Sequence, residues 1–437
     1  MNNLVINKEK VRSIMKEKNI NSQTELAKLM GITKNQLSVI LSDKFDPIKS
    51  NVKLLCDTLK IDFNEITKKK VKDIKSKNLE QVSFLSKKEE EKYLDVQYSN
   101  IKPNKQYNVV ELFAGAGGLA LGLEKSGFNT VGLVEIDKYC CETLKTNRPK
   151  WNIINENIVN VVEKGIREYI GNVEIDLLSG GYPCQAFSYA GKKLGLDDVR
   201  GTLFYYYAEA LRQLKPKMFL AENVKGLVSH EGGKTLRTMI KVFEQIGYKV
   251  QYEVLNAVNY GVAQKRQRIV IIGIRADLGN KIQYKYPKAF DYIPTLRDAL
   301  KDVPESEGTK YPEKKKKVLE LIPPGGYWRD LPDDIAREYM GKSYFSGGGR
   351  TGMARRIGWD EPCLTLTCSP AQKQTERCHP DETRPFTTRE YARIQSFPDE
   401  WNFSGSMSQV YKQIGNAVPV GLAKAVGLSI INSLNMI

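Results

Sequence analysis

The chemistry of this chain starts from a single thiol. Cys184 lies in Gly180-Gly181-Tyr182-Pro183-Cys184-Gln185-Ala186-Phe187-Ser188, directly after a proline in a glycine-flanked loop. The loop follows the apolar run Ile175 to Leu178, which reads as a short buried strand. A thiolate at the carboxyl end of a parallel strand lies where open α/β sheets place their ligands. A structural turn around an inert thiol fits the same loop, so the weight falls on three other clusters.

Glu111-Leu112-Phe113-Ala114-Gly115-Ala116-Gly117-Gly118-Leu119 is a glycine loop after a strand. Such a loop lets backbone approach a nucleotide closely. An acid follows at the end of the next strand, Glu135 in Leu133-Val134-Glu135-Ile136-Asp137. A carboxylate there can accept both hydroxyls of a ribose, while the glycine spacing departs from the dinucleotide fingerprint and does not favour NAD. Glu222-Asn223-Val224 ends another strand, at the same sheet edge as Cys184, although a helix cap would use the same residues. In Gln264-Lys265-Arg266-Gln267-Arg268, alternation puts Gln264, Arg266 and Arg268 on one strand face. Two arginines beside a thiolate suit anion or base contacts; a basic strand edge that blocks aggregation is the plainer alternative.

These residues need a frame. Strand-like runs are Val109 to Phe113, Val131 to Glu135, Ile175 to Leu178, Met218 to Ala221 and Ile269 to Ile274. Helical windows such as Leu203 to Leu214 and Thr235 to Ile246 alternate with them, which predicts a parallel sheet with helices on both faces. The alternation stops after Ile274, where scattered prolines and Gly347-Gly348-Gly349-Arg350 mark an irregular segment. Helical character resumes at Thr388, and the last helix is apolar enough to pack back on the sheet. At the other end, Ser22-Gln23-Thr24-Glu25 and Thr33-Lys34-Asn35-Gln36 match helix capping boxes around Gly31, a spacing similar to a phage-repressor helix-turn-helix. Lys34, Asn35, Gln36 and Ser38 would face base edges. A small helical bundle for protein contacts is the alternative.

Bulk properties agree. The 437 residues exceed one ordinary core. Net charge is +16, which favours an anionic partner such as nucleic acid. Seven cysteines, none in a CxxC pair, fit neither a zinc site nor a disulfide scaffold, and a reducing cytosol is expected. No metal site is expected. Only His230 and His379 are present, so schemes built on several histidines are excluded. No secretory leader and no membrane span are expected from the apolar runs.

The set of motifs resembles the DNA (cytosine-5) methyltransferases. It comprises the glycine loop, Pro183-Cys184-Gln185, Glu222-Asn223-Val224, the Gln264/Arg266/Arg268 set and Gln413-Ile414-Gly415-Asn416-Ala417-Val418-Pro419, in the family's order. The resemblance covers about residues 107–274 and 384–434, and the amino-terminal unit is similar to an extension of some restriction-modification members. It implies an α/β, Rossmann-like, mostly parallel sheet with an S-adenosylmethionine site. It also implies an irregular target-recognition domain and an all-α helix-turn-helix domain. The boundaries expected are 1–67 helix-turn-helix, 68–104 lysine-rich linker or solvated helix, 105–274 catalytic, 275–383 target recognition and 384–437 the carboxy-terminal part of the catalytic domain.

By the same resemblance Cys184 is the nucleophile, Glu222 holds the base N3 and amine, Arg268 meets the base O2 and Arg266 steadies the site. Phe113, Gly115, Gly117, Glu135, Ile136, Ile158, Leu203 and Asn416 would bind the methyl donor. Asn157 stands where the family often has an aspartate for the adenine amine. Gln185, Ser188 and Arg200 belong to a lid over DNA, with Gln264, Arg350, Arg355, Lys34 and Gln36 as further DNA contacts. The partners implied are double-stranded DNA and a restriction endonuclease acting on the same site, with dimerisation through the helix-turn-helix left open. A tRNA methyltransferase on the same core and a repressor with a lapsed catalytic core are the competing readings.

Overall fold

The structure is a computed structural model. It describes residues 4–6, 8–20, 22–32, 37, 40–41, 55–61, 67–69, 92–183, 199, 201–279, 281–345 and 352–437. The chain divides into two compact units, Met1–Lys87 and Lys88–Ile437.

The first unit is helical. Helix α1 spans Lys8–Glu17 and α2 spans Gln23–Leu29. Ser22 caps α2 by accepting the Glu25 amide at 3.1 Å, and Gly31 takes the left-handed φ of 65° expected after a helix end. Val11, Ile14, Leu26, Ala27, Leu37, Ile40, Leu55 and Leu59 close one small core. A short antiparallel pair, Leu4–Ile6 with Thr67–Lys69, accompanies the helices. Lys34, Asn35, Gln36 and Ser38 lie outside the described residues.

The second unit is built on a seven-stranded sheet. Its strands are β1 Tyr107–Leu112, β2 Phe128–Glu135, β3 Ile153–Asn155, β4 Leu177–Gly180, β5 Met218–Val224, β6 Tyr248–Asn256 and β7 Gln267–Arg275. Their order is β3-β2-β1-β4-β5-β7-β6, parallel from β3 to β5, with β7 antiparallel to both of its neighbours. The pleat sends alternate residues to opposite cores. Val110, Leu112, Phe219, Ala221, Ile269 and Ile271 face one side. Tyr107, Val109, Met218, Leu220, Val270 and Ile272 face the other.

Helices cover both faces. On the first side lie α5 Ile158–Lys164, α6 Leu203–Leu214 and α7 Lys234–Gln245. On the second lie α3 Gly118–Ser126 and the last helix, α13 Val420–Leu434. Helices α3 and α13 touch through small residues: a Cβ on Gly122 would stand 2.3 Å from that of Ala423. The stretch Met407–Leu434 is long and apolar enough to cross a membrane, yet 72% of its most apolar window is buried inside the molecule. It consists of α12 Met407–Asn416 and α13, broken before Pro419.

The lysine-rich stretch differs from a solvated linker at its end. Tyr93–Leu94 pairs with Tyr286–Pro287, and Val96 is buried in the second-face core. Segment 275–383 is not uniform either. Its helix α8, Leu296–Leu300, packs with α11, Thr388–Ile394, in the catalytic core. Helices α9 Glu313–Glu320 and α10 Asp333–Met340 surround a separate core of Tyr311, Leu319, Trp328, Met340 and Met353.

Gly273 of β7 lies opposite Phe219 of β5, and a Cβ there would fall 1.9 Å from the Phe219 ring. Gly273→Ala should therefore cost about 1–3 kcal/mol through overpacking. Urea unfolding followed by tryptophan fluorescence, with all tryptophans in this unit, checks it; an unchanged midpoint would mean the ring has room to move.

Candidate active site

The carboxyl ends of β1, β2, β4 and β5 open into one cavity of about 930 Å³. Phe113, Gly115, Glu135, Ile136, Asn157, Ile158, Leu203, Glu222, Arg266, Arg268 and Asn416 all line it. Residues expected from distant stretches of sequence are thus brought together. Gly117 stands just outside this lining.

The floor of the cavity is the glycine loop. Phe113 leaves β1 with φ 58°, an uncommon value for a side-chain-bearing residue. Gly115 follows with φ 55° and has open space where a Cβ would be. Gly117 answers to packing: its Cβ would stand 2.6 Å from Leu144 and 3.0 Å from Trp401. Trp401 also donates its indole N–H to the Ala116 carbonyl at 3.2 Å. Glu135 ties the loop to β2. Its Oε2 accepts the Gly115 amide at 2.7 Å, and its Oε1 accepts those of Ile136 and Asp137 at 2.8 Å. Asn157 caps α5 by accepting the Val159 amide at 3.0 Å.

The reactive end lies where β5 meets β7. Glu222 faces Val270 across the ladder, so Arg268 is its diagonal neighbour on the same face. Arg268 Nε lies 2.7 Å from Glu222 Oε1. That contact is an ion pair without hydrogen-bond alignment, and Oε1 keeps its hydrogen-bonding capacity in a buried place. Burial pushes the Glu222 pKa above the ordinary carboxylate value, against the pull of Arg268 and Arg266. Arg266 is 2% exposed and donates to the Leu366 carbonyl at 3.0 Å and the Gly415 carbonyl at 2.8 Å. Burial lowers its pKa to about 9.

Gly181 is pressed against Glu222: a Cβ there would fall 2.8 Å from Oε2. Asn223 donates to the Tyr182 carbonyl at 2.8 Å. The chain that leads toward Cys184 is therefore held to the end of β5 as far as Tyr182. Cys184, Gln185, Ser188, Arg200 and Arg350 lie outside the described residues.

Two of the residues expected to contact DNA have protein partners. Gln264 is fully buried, donating to Gln395 Oε1 at 3.1 Å and accepting the Leu366 amide at 3.1 Å. It is absent from the lining of the cavity that Arg266 and Arg268 share. Arg355 is turned inward onto Glu361 at 2.6 Å and the Gly325 carbonyl at 2.7 Å.

Sequence reasoning missed other members of the site. Thr367 and Cys368 line the cavity, and the Cys368 thiol donates to Asn416 Oδ1 at 2.9 Å. Nothing near them in the sequence signals this. Glu111 also lines the cavity and is 1% exposed, with Ser179 Oγ at 3.3 Å. An acid amid the apolar β1 run was its available signal.

Comparison with known proteins follows the same outline. A model of the C-5 cytosine-specific DNA methylases matches residues 107–432. The chain belongs to this family. It is a DNA (cytosine-5) methyltransferase, and DNA is its partner. A Cro/C1-type helix-turn-helix DNA-binding domain matches residues 10–71. The chain is 57% identical over 432 residues to the Type II methyltransferase M.Sau96I of Staphylococcus aureus, covering 98% of this chain and 99% of that one. It is 54% identical to M.Eco47II of Escherichia coli, covering 83% and 86%. Among solved structures, a presumed DNA modification methyltransferase encoded within an Escherichia coli prophage is 25% identical with a TM-score of 0.55, covering 76% of this chain and all of that one.

Burial raises the Glu111 pKa from 4.5 to about 8. Between those values the folded enzyme keeps a proton that the unfolded chain has released, so stability falls as pH rises from 4.5 to 8. Glu111→Gln should match the wild type in stability near pH 4.5 and exceed it above pH 8 by on the order of 4 kcal/mol. Urea titrations at pH 5 and pH 8.5 test this; parallel pH profiles for the two proteins would refute a protonated Glu111.

Proposed function

We propose that this methyltransferase transfers a methyl group to C5 of a flipped-out cytosine through a covalent adduct at Cys184. The observation that carries the reading is the packing of Gly181 against Glu222 and of Tyr182 onto Asn223, with Arg268 2.7 Å from the same carboxylate. It holds the residues leading to Cys184 beside an acid whose Oε1 is buried at this end of the cavity.

Cytosine C5 is a weak nucleophile. Addition of the Cys184 thiolate to C6 moves electron density onto C5 and N3 and turns the ring into an enamine. Glu222, whose pKa burial raises, shares a proton with N3 as that charge grows, and its second oxygen takes the exocyclic amine. Arg268 offers its guanidinium to O2. Arg266 holds the segments around Leu366 and Gly415 in place. Once C5 carries the methyl group, its proton passes to water, and expulsion of the Cys184 thiolate from C6 restores the aromatic ring. In a stacked duplex C6 cannot meet a thiol, so the base must turn out, at a cost of a few kcal/mol. Gln185, Ser188 and Arg200 serve as the lid that then covers the DNA.

The residues present fit S-adenosylmethionine. Glu135 Oε2, which accepts only the Gly115 amide, has an acceptor site left for a ribose hydroxyl, and Gly115 leaves open space for close approach. Phe113, Ile136, Ile158 and Leu203 supply apolar surface for adenine, while Asn416 offers an amide. When bound, the donor supplies an electrophilic methyl group on sulfonium.

The amino-terminal unit, residues 1–67, reads operator DNA and regulates the enzyme's own operon, with or without dimerisation. Residues 68–104 join it to the catalytic domain, 105–274 and 384–437, with target recognition in 275–383. The enzyme serves a restriction-modification system in the cytoplasm, beside an endonuclease for the same site. The identity of the chain to named Type II methyltransferases supports this.

Cys184→Ser should abolish methylation, read by bisulfite sequencing of host DNA, and leave operator binding intact; wild-type methylation by that variant rules out the nucleophile. Deleting residues 1–67 should leave methylation largely unchanged but abolish operator binding in a mobility-shift assay. A folded truncation without methyltransferase activity would show that the unit serves catalysis directly.

A further inference from the structure

The donor's adenine needs an acceptor for its exocyclic amine. Asn157 is poorly placed for that work. An amide has one oxygen, and the oxygen of Asn157 is already turned to the start of α5, where it accepts the Val159 amide at 3.0 Å. Its other polar atom is a nitrogen, which can only donate. The residue before it differs. Glu156 lines the same cavity, beside Ile136 and Ile158. Both of its hydrogen bonds fall on one oxygen: Oε1 accepts the Asn157 amide at 2.7 Å and Asn160 Nδ2 at 2.9 Å. Oε2 accepts none among the described residues. The two N–H donors fix the carboxylate plane and hold its pKa below the ordinary value, so a charged acceptor faces the cavity at neutral pH.

We infer that Glu156 is the specificity residue for the donor's base, with Oε2 accepting the adenine amine in place of Asn157. The apolar neighbours Ile136 and Ile158 give a flat ring its packing, and Ile136 is 65% exposed, open to being covered by one. The assignment rests on the cavity being the donor site, as proposed above. It makes the site selective for a 6-amino purine over a 6-oxo one, since a carbonyl oxygen there would meet Oε2 acceptor to acceptor.

The test is calorimetric titration of the full-length protein with S-adenosylhomocysteine and with its hypoxanthine counterpart, S-inosylhomocysteine. Wild type should favour the adenine ligand by about 10-fold or more, the scale of one hydrogen bond to a charged group. In Glu156→Gln the two N–H donors keep Oε1 in place, so Nε2 replaces Oε2 and can donate to the 6-oxo group. The preference should shrink to about threefold or reverse. Glu135→Ala should weaken both ligands and keep their ratio. A Glu156→Gln ratio equal to wild type overturns the assignment and returns the amine to Asn157. If wild type binds neither ligand, or Glu135→Ala changes neither affinity, the cavity reading itself fails and this assignment goes with it.

Discussion

Everything at this site depends on a carboxylate kept out of water next to two guanidinium groups. A buried carboxylate alone would protonate, and a fully paired one would have nothing left for a substrate. Glu222 avoids both outcomes through strand register. Because β7 runs antiparallel to β5 and pairs Val270 with Glu222, Arg268 comes in diagonally, close enough for charge but off the hydrogen-bonding direction. Burial wins the balance and the pKa rises. A slip of one residue would send Arg268 to the other face, so the chemistry is written into the pairing of two strands.

That register needs support from the rest of the chain. Arg266 cannot reach water, and its N–H groups bind the carbonyls of Leu366 and Gly415. Three pieces far apart in sequence are thereby joined behind the cavity. Gln264 does similar work one turn of the ladder away, linking Leu366 to Gln395. The segment that returns from residues 311–353 is thus fastened immediately ahead of the strand that carries Arg268. Helix α13 completes the frame, packing on α3 so closely that the facing positions are glycine and alanine. The end of the chain is therefore structural for a glycine loop at its beginning.

Much of this was legible in the sequence, for physical reasons. Buried strands must be apolar, and the runs at Val109, Val131, Ile175, Met218 and Ile269 each fell inside an observed strand or, for Ile175, at its edge. Helix α6 matched its apolar period at both ends. The strands that were missed lie at the sheet edges. Tyr248–Asn256 is half exposed and carries polar residues, and Ile153–Asn155 is three residues long. Neither needs an apolar run. Side-chain direction was legible but depth was not: alternation grouped Gln264 with the arginines, and only packing tells that its amide is sealed inside. Pairing of charges was hidden for the same reason, so Arg355 read as a DNA contact with no sign that Glu361 lies beside it.

The same distinction governs what the net charge of +16 can mean. Arginine in this protein is largely structural cement. Arg148 grips Glu124, Arg384 grips Glu390, Arg393 grips Asp399, and Arg356 is buried among the carbonyls of Leu319, Ile322 and His379. A planar five-donor group suits such work, since it satisfies several carbonyls at once and holds its charge when buried. Lysine is the residue more often left in water, as in the run Lys314 to Lys317 on α9, where Lys314 and Lys317 are exposed and Lys315 and Lys316 half-buried. The long-range field that draws DNA is therefore carried mostly by flexible, solvated ammonium groups, and salt will screen it. The arginines that survive at the cavity, 266 and 268, act at contact distance and in low dielectric, where salt reaches poorly. In the mechanism proposed above, attraction of the polyanion and polarisation of the base are separate tasks, given to different residue types for reasons of hydration.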